Sequence, residues 1–367
     1  MSKLFSPIKL AGIELSNRIV IAPMCQYSSA DGCLTDWHMS HLGMLANSGA
    51  GMLVVEATHI ERHGRITHGC AGLYSDANEA AMQRVIDHLR WIGTAKLGIQ
   101  LAHAGRKASA QRPWEGGGPL KSGQDPWPTI APSAIPFGDG WHTPREMTGD
   151  DIARVRDAFV NAAKRAVRIG FDLIELHCAH GYLAHEFMSP VSNKRTDQYG
   201  GSLENRMRFS RELAQAVRAV VPKSVAFGAR ITGSDWRNDG ITPEEASALS
   251  RALKADGMDF VDISSGGVTA DTRNPTDLGY NVPIAERIKK ETGIATRVVG
   301  LIVTPEQAEA VVGDGKADMV AMARAFLNDP RWGWHAGQAL GAEVPRVNQY
   351  LRVGPKLWAP AAQRARA

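Results

Sequence analysis

The chain has 367 residues, 44% of them hydrophobic and 22% charged, with a formal net charge of +4. Those proportions suit a globular protein with a sizeable core, and the interspersed charges exclude the concentrated basic face of a nucleic-acid binder. No apolar run reaches the roughly 20 residues of a membrane span, and Cys25, Cys33, Cys70 and Cys178 are too scattered for a disulfide framework or a CxxC metal site.

The opening "LFSPIKLAGIELSN" alternates apolar and polar residues about a Gly12 turn, which predicts a hairpin plugging the floor of the fold. It lacks the apolar stretch and cleavage pattern of a signal peptide, so a cytoplasmic chain with reduced thiols is expected. "NRIVIAP" reads as a strand, followed by a helix near 38–47. "GAGMLVVEAT" is a strand, "SDANEAAMQRVIDHLRWIG" a helix capped by Ser75 or Asp76, and "KLGIQLAH" a strand. Residues 104–148, rich in Gly, Pro and Trp, form an irregular segment of the kind that makes an ordered lid. Then come the helix of "TGDDIARVRDAFVNAAKRAVRIG", the strand "FDLIELH", the helix of "SLENRMRFSRELAQAVRAVV" and the strand "SVAFGARI". "TPEEASALSRALKADG" starts with an N-cap threonine, a proline and two acidic residues, as a helix should. "FVDISSGG", "ATRVVG" and "DMVAMAR" are the last strands, with helices at "PIAERIKKETG" and "TPEQAEAVVGDG". The terminal "QRARA" reads as a solvated tail.

Eight short apolar strands alternating with helices imply parallel pairing with both sheet faces covered. The expected fold is α/β: a single (β/α)8 TIM barrel spanning 1–367, with a hairpin floor and a lid inserted after the third barrel strand. A doubly wound sheet is disfavoured because no GxGxxG follows any strand.

Active sites of such barrels lie at the C-terminal strand ends. Those ends carry Ala22, Pro23, Met24 and Cys25 with Tyr27 beyond; Glu56, Ala57 and Thr58; Gln100; His177; Arg230; Val299 and Gly300; and Ala323 with Arg324. The small residues Gly98, Ala102, Gly228 and Gly300 suggest room for a flat ligand, and Ala323-Arg324 opens a short helix where these barrels often bind phosphate. A planar phosphorylated cofactor with Arg230 facing its ring is inferred, and Arg230 is a candidate ion-pair partner for Glu175 or Glu56. His177, His180 and Tyr182 at one strand mouth could be a metal site, a hydrogen-bond clamp for a substrate, or coincidence. The metal reading is the weaker, because no third ligand stands at a convincing local spacing, and no metal is expected. His103 and Arg106 read as loop structure, and His59, His63 and His68 as surface or loop residues.

The motifs "NRIVIAPMCQYS", "IQLAHAGRKAS", "RPWEGGG", "IAPSAIPF", "ELHCAHGYLAHEFMSPVSNKRTDQYGGSLENRMRF" and "ARAFLNDPRWGWHAG" are spread along the chain from residue 17 to residue 337. On these the sequence resembles the old yellow enzyme family of flavin ene-reductases, in the thermophilic-like branch that includes xenobiotic reductases. The resemblance implies tightly bound, non-covalent FMN, NADPH or NADH as reductant, and electrophilic alkenes as substrates. It places Ala22, Pro23, Met24 and Cys25 at the flavin N5/C4=O edge, and Ala57 and Gln100 against the ring. Arg230 falls at the N1/C2=O side, Gly300, Ala323 and Arg324 would hold the phosphate, and Val299 is a further cofactor contact at the substrate wall. His177 and His180 would bind the substrate oxygen, with Tyr27 helping, and Tyr182 would donate the proton. Ala323 departs from the glycine usual in the family, and Val299 replaces an aromatic found in some relatives, leaving a roomier pocket. The resemblance also implies a homodimer or homotetramer whose segment from about 345 to 367 lies at a subunit interface, with Trp358, or Arg352, reaching the neighbouring site.

Overall fold

The computed structural model describes residues 1–354, 357 and 358; the terminal basic stretch lies outside them. In chain order the strands are β1 (Ile8–Leu10), β2 (Ile13–Leu15), β3 (Ile19–Ile21), β4 (Met52–His59), β5 (Lys96–Ala102), β6 (Ile130–Ala131), β7 (Arg145–Glu146), β8 (Leu173–Cys178), β9 (Ala226–Thr232), β10 (Phe260–Ser264), β11 (Ala295–Val298) and β12 (Met319–Met322). The helices are α1 (Asp36–Ala46), α2 (Asp76–Ile92), α3 (Gly149–Ile169), α4 (Leu183–Met188), α5 (Leu203–Arg218), α6 (Pro243–Ala255), α7 (Val282–Thr292), α8 (Pro305–Gly313), α9 (Arg324–Asn328) and α10 (Trp332–Ala339). Strands β3, β4, β5 and β8 to β12 form a closed parallel barrel, β12 pairing back onto β3, with the helices outside.

Local chemistry fixes the crossovers. Ser75, Thr148, Thr242 and Thr304 each accept the backbone N–H three residues on, satisfying donors that the first helical turn leaves free. Gly170 ends α3 in the left-handed conformation, at φ 89°.

Strand alternation divides the apolar residues into two layers. Leu53 and Val55 of β4 face the helices, together with Ile174, Phe227 and Ile263 of neighbouring strands. Met52 and Val54 face inward with Leu173, Phe260 and Met319, and Leu10, Ile13 and Leu15 of the hairpin close this cluster from below. Each such side chain, fully buried, contributes about 1.5–3 kcal/mol, so the floor is a substantial part of the core. The same packing corrects the expectation about small residues. A side chain at Gly228 would collide with the Phe260 ring, and one at Gly98 would press on Leu173 and Val54. These glycines admit bulky neighbours into the barrel and do not make room for a ligand.

Above the apolar layer the interior is charged. Arg297 pairs with Glu175 and, at 2.9 Å, with Asp262; Arg230 Nε donates to Asp262 at 2.6 Å and its head lies 3.8 Å from Glu175. Gln100 Nε2 donates to Glu175 at 2.7 Å. Burial alone would raise the Asp262 carboxyl, but Arg230 and Arg297 hold it below the usual carboxylate range. Burial likewise works against the Arg297 charge, and Asp262 and Glu175 outweigh it. The expected partner Glu56 is not among Arg230's contacts. It accepts from the Gln26 amide at 3.0 Å and lies 3.2 Å from His38 Nε2.

Arg297→Leu therefore strips two buried carboxylates of a shared partner. A loss of roughly 3–5 kcal/mol of unfolding free energy is expected in urea titration, as for other broken buried pairs. A loss below about 1 kcal/mol would show that the network is not coupled in this way.

Candidate active site

In β8 Glu175 and His177 point into the barrel, while Cys178 packs outward with the helix layer. The chain then turns through His180 at φ 61° and Gly181 at φ 72°. A side chain at Gly181 would run into the Gly267 carbonyl, so this left-handed position requires glycine. The turn brings the three singled-out side chains together. The His177 and His180 rings meet edge to face at 5.1 Å, and those of His177 and Tyr182 at 4.9 Å. Ser264, at the end of β10, lies 2.6 Å from His180 Nε2, whereas the buried His177 Nδ1 has no protein partner.

Cys25, Tyr27 and Tyr182 pack against one cluster formed by Ile66, Cys70, Ala104, Ala108 and Trp127. The segment after β5 touches this side: Trp114 meets the Tyr27 ring edge-on at 5.9 Å, and Arg112 Nε donates to the Tyr27 carbonyl at 3.0 Å. Inside the barrel, Ala57 stands opposite Gln100 in register, and His177 opposite Arg230. Ala22 is buried at the end of β3, its amide bonded to the Met322 carbonyl, with Pro23 and Met24 half-buried beside it. Val299, Gly300, Ala323 and Arg324 line one cavity of about 380 Å3 at the ends of β11 and β12. Trp358 and Arg352 stand on the surface.

Burial keeps the imidazoles, phenols and thiol of the mouth uncharged. Burial, with His180 and Arg230 nearby, holds the His177 imidazole well below its usual value, and burial with Arg230 and Lys107 takes His180 down to about 3. Burial pushes the Tyr182 phenol well above its ordinary value, and does the same to Tyr27 and the Cys25 thiol.

His59 corrects the surface reading. It is 1% exposed at the end of β4, lies 3.0 Å from the Ala71 carbonyl through Nδ1, and burial pulls its pKa to about 3. His103 and Arg106 are structural, as expected: His103 meets Glu61 at 2.9 Å, and Arg106 donates to the carbonyls of Ile135, Pro136 and Val268. Sequence reasoning missed Asp262, Arg297, Ser264, Lys107 and the His185–Asp235 pair. A charge flanked by apolar residues in "FVDIS" and "ATRVV" was the available signal for the first two.

Residues 3–343 match the NADH:flavin oxidoreductase / NADH oxidase family. The chain belongs to that family. The NADPH dehydrogenase of Geobacillus sp. (strain WCH70) is 42% identical over 351 residues, covering 95% of this chain and 98% of its own. That of Listeria innocua is 40% identical over 354 residues, covering 96% and 99%. Among solved structures, morphinone reductase superposes with a TM-score of 0.77 at 26% identity, covering 94% of this chain and 91% of its own. The resemblance to the old yellow enzyme family is thereby established: the protein is an NAD(P)H-dependent flavin oxidoreductase with FMN as cofactor.

The residues of this flavin oxidoreductase suit that group. Arg230 Nη2, buried beside Asp262, has no aligned hydrogen-bond partner, and His177 Nδ1 has none either. The cavity at β11 and β12 has Gly300 in its wall at φ 143°, where a side chain would meet Asn281 and Tyr280. Gly300→Val adds backbone strain of about 1–3 kcal/mol and fills part of this cavity. The variant is expected to fold and to bind FMN at least roughly tenfold more weakly, read from flavin absorbance per protein after dialysis. Wild-type flavin retention would place the cofactor elsewhere.

Proposed function

We propose that the chain is an FMN-dependent ene-reductase acting on α,β-unsaturated ketones and aldehydes, nitroalkenes and maleimides. When bound, FMN supplies hydride, taken from NADPH or NADH and passed to the substrate β-carbon after the oxidised nicotinamide has left. The residues that would hold it, tightly and without a covalent bond, are Ala22, Pro23, Met24 and Cys25 along one ring edge, with Ala57, Gln100 and Arg230 at the ring. Gly300, Ala323 and Arg324 would hold the phosphate, with Val299 beside them at the substrate wall.

The observation that carries this reading is the uncharged donor pair His177 and His180 beside a protonated Tyr182. His177 has an unpartnered Nδ1, and His180 is a donor through Nδ1 in the tautomer whose Nε2 accepts from the Ser264 hydroxyl. The positive groups that disfavour imidazolium, Arg230 and Lys107, equally favour negative charge on a substrate oxygen. Donors aimed at that oxygen stabilise an enolate-like transition state more than the ground state. Tyr182, kept protonated by burial, donates to the α-carbon from the face opposite the hydride, giving net anti addition. Tyr27, beside Tyr182, helps hold the substrate, and the 104–148 segment, joined to Tyr27 through Arg112 and Trp114, serves as the lid.

The proposal extends to assembly: one FMN-binding domain in a cytoplasmic homodimer or homotetramer, with Trp358 or Arg352 reaching the neighbouring site. Exposed Trp37, Trp91, Tyr350, Leu351 and Trp358 support a protein-covered surface.

Anaerobic NADPH is expected to bleach the flavin absorbance, and cyclohexenone to restore it; failure to recover would overturn the ene-reductase reading. His177→Ala should weaken oxidant and phenol binding while NADPH reduction persists. Tyr182→Phe should slow reoxidation by roughly 100-fold, the usual scale of a lost general acid. Because folding depresses both histidines, they are neutral above their lowered values and acquire charge only at lower pH. Phenol affinity is therefore expected to show no step near the ordinary histidine value of about 6.5. A step there that His177→Ala removes would refute the neutral donor pair.

A further inference from the structure

The peptide unit joining His180 to Gly181 is gripped at both ends. Its carbonyl accepts from Lys107 Nζ at 2.7 Å, and its N–H donates to His185 Nδ1 at 2.6 Å. The two grips come from different elements: Lys107 closes the 3-10 turn after β5, and His185 lies in α4. An amide N–H can only donate, so Nδ1 of His185 is bare and Nε2 carries the proton. Nε2 lies 2.8 Å from Asp235 Oδ1, and the other Asp235 oxygen accepts from Ser189 Oγ at 2.7 Å and the Ile241 amide at 2.8 Å. His185, Ser189 and Asp235 are fully buried, so this chain of bonds is sheltered from water.

Lys107 has the corresponding position on the other side. Its Nζ also reaches the Gly267 carbonyl at 3.3 Å, and stands 4.8 Å from the Tyr182 ring centre and 4.5 Å from that of Phe137. One ammonium thus joins the loop after β8 to the loop after β10 and rests on the face of the proposed proton donor. The gripped peptide lies between His180 and Tyr182, in a left-handed stretch that a free chain disfavours for a residue with a side chain.

We infer that Lys107 and the His185–Asp235 pair are positioning residues that lock the plane of the His180–Gly181 peptide, and so set His180 and Tyr182 for substrate binding and proton donation. The inference rests on the ene-reductase reading. Neither Lys107 nor His185 need touch the substrate; each acts through one peptide, which fixes the backbone path that leads from His180 through Gly181 to Tyr182.

The test uses FMN-loaded enzyme carrying Lys107→Met, His185→Phe, or both. The readouts are p-hydroxybenzaldehyde binding, followed by its long-wavelength charge-transfer absorbance, and hydrogen exchange at the Gly181 amide. Each single variant is expected to keep its flavin, bind the phenol about tenfold more weakly, and exchange Gly181 faster. Because both grips hold one peptide, the double variant should lose no more than about the worse single. Lys107→Arg should restore binding, since a cation at that place again reaches the carbonyl. Lys107→Met removes a buried charge and keeps the test available if His185→Phe does not fold. Binding within about twofold of wild type in Lys107→Met, or losses multiplying to about a hundredfold in the double, would overturn the clamp. A wild-type enzyme that binds no phenol would instead sink the ene-reductase reading, and unchanged Gly181 exchange in Lys107→Met would still refute the clamp.

Discussion

Two arginines and two carboxylates share the dry centre of the barrel, and the position of every group at its mouth depends on that arrangement. At about 4 Å and an effective dielectric of 20, one pair of unit charges attracts by about 4 kcal/mol. Removing each ion from water costs several kcal/mol, so the network of Glu175, Arg230, Asp262 and Arg297 contributes little net stability. Its effect is geometric. Asp262 stands between Arg230 and Arg297, and Glu175 is held by Arg297 and Gln100. With charges balanced in pairs, Arg230 stays in one place opposite His177, both its Nε and Nη2 close to Asp262.

That fixed cation carries over into the chemistry of the layer above. Arg230 contributes to the depression of both His177 and His180, so these two imidazoles carry no charge themselves while Arg230 and Lys107 stand close by. Burial holds Tyr182, Tyr27 and Cys25 in their protonated forms. A site built of neutral donors beside a fixed guanidinium is arranged for charge that appears during a reaction, because preorganised dipoles need no reorganisation when it does.

The barrel was legible because its signals are local. Caps at Ser75, Thr148, Thr242 and Thr304, the stop at Gly170 and eight apolar strands lie within single segments, and short-range physics decides them. His177, His180 and Tyr182 were legible for the same reason, since one turn holds all three. The support behind them was not. His185 and Asp235 are 50 residues apart, and Lys107 and His180 are 73 apart, so only closure of the barrel makes them neighbours. Gly228 was misread because a missing side chain looks the same in sequence whether a ligand or the Phe260 ring fills the space.

Register is what turns these scattered residues into one site. Parallel pairing sets His177 opposite Arg230, Arg230 opposite Asp262, and Asp262 opposite Arg297. This row crosses four consecutive strands, while Ala57, Gln100 and Glu175 form a second row across three. Because strand side chains alternate, a slip of one residue in β9 would turn Arg230 toward the helices and bring Ala229 or Ile231 inside. Asp262 would then face an apolar group in a dry interior, a cost comparable to breaking a buried pair. The charges thus penalise every neighbouring register, and the same penalty that specifies the barrel keeps the Arg230 guanidinium beside His177.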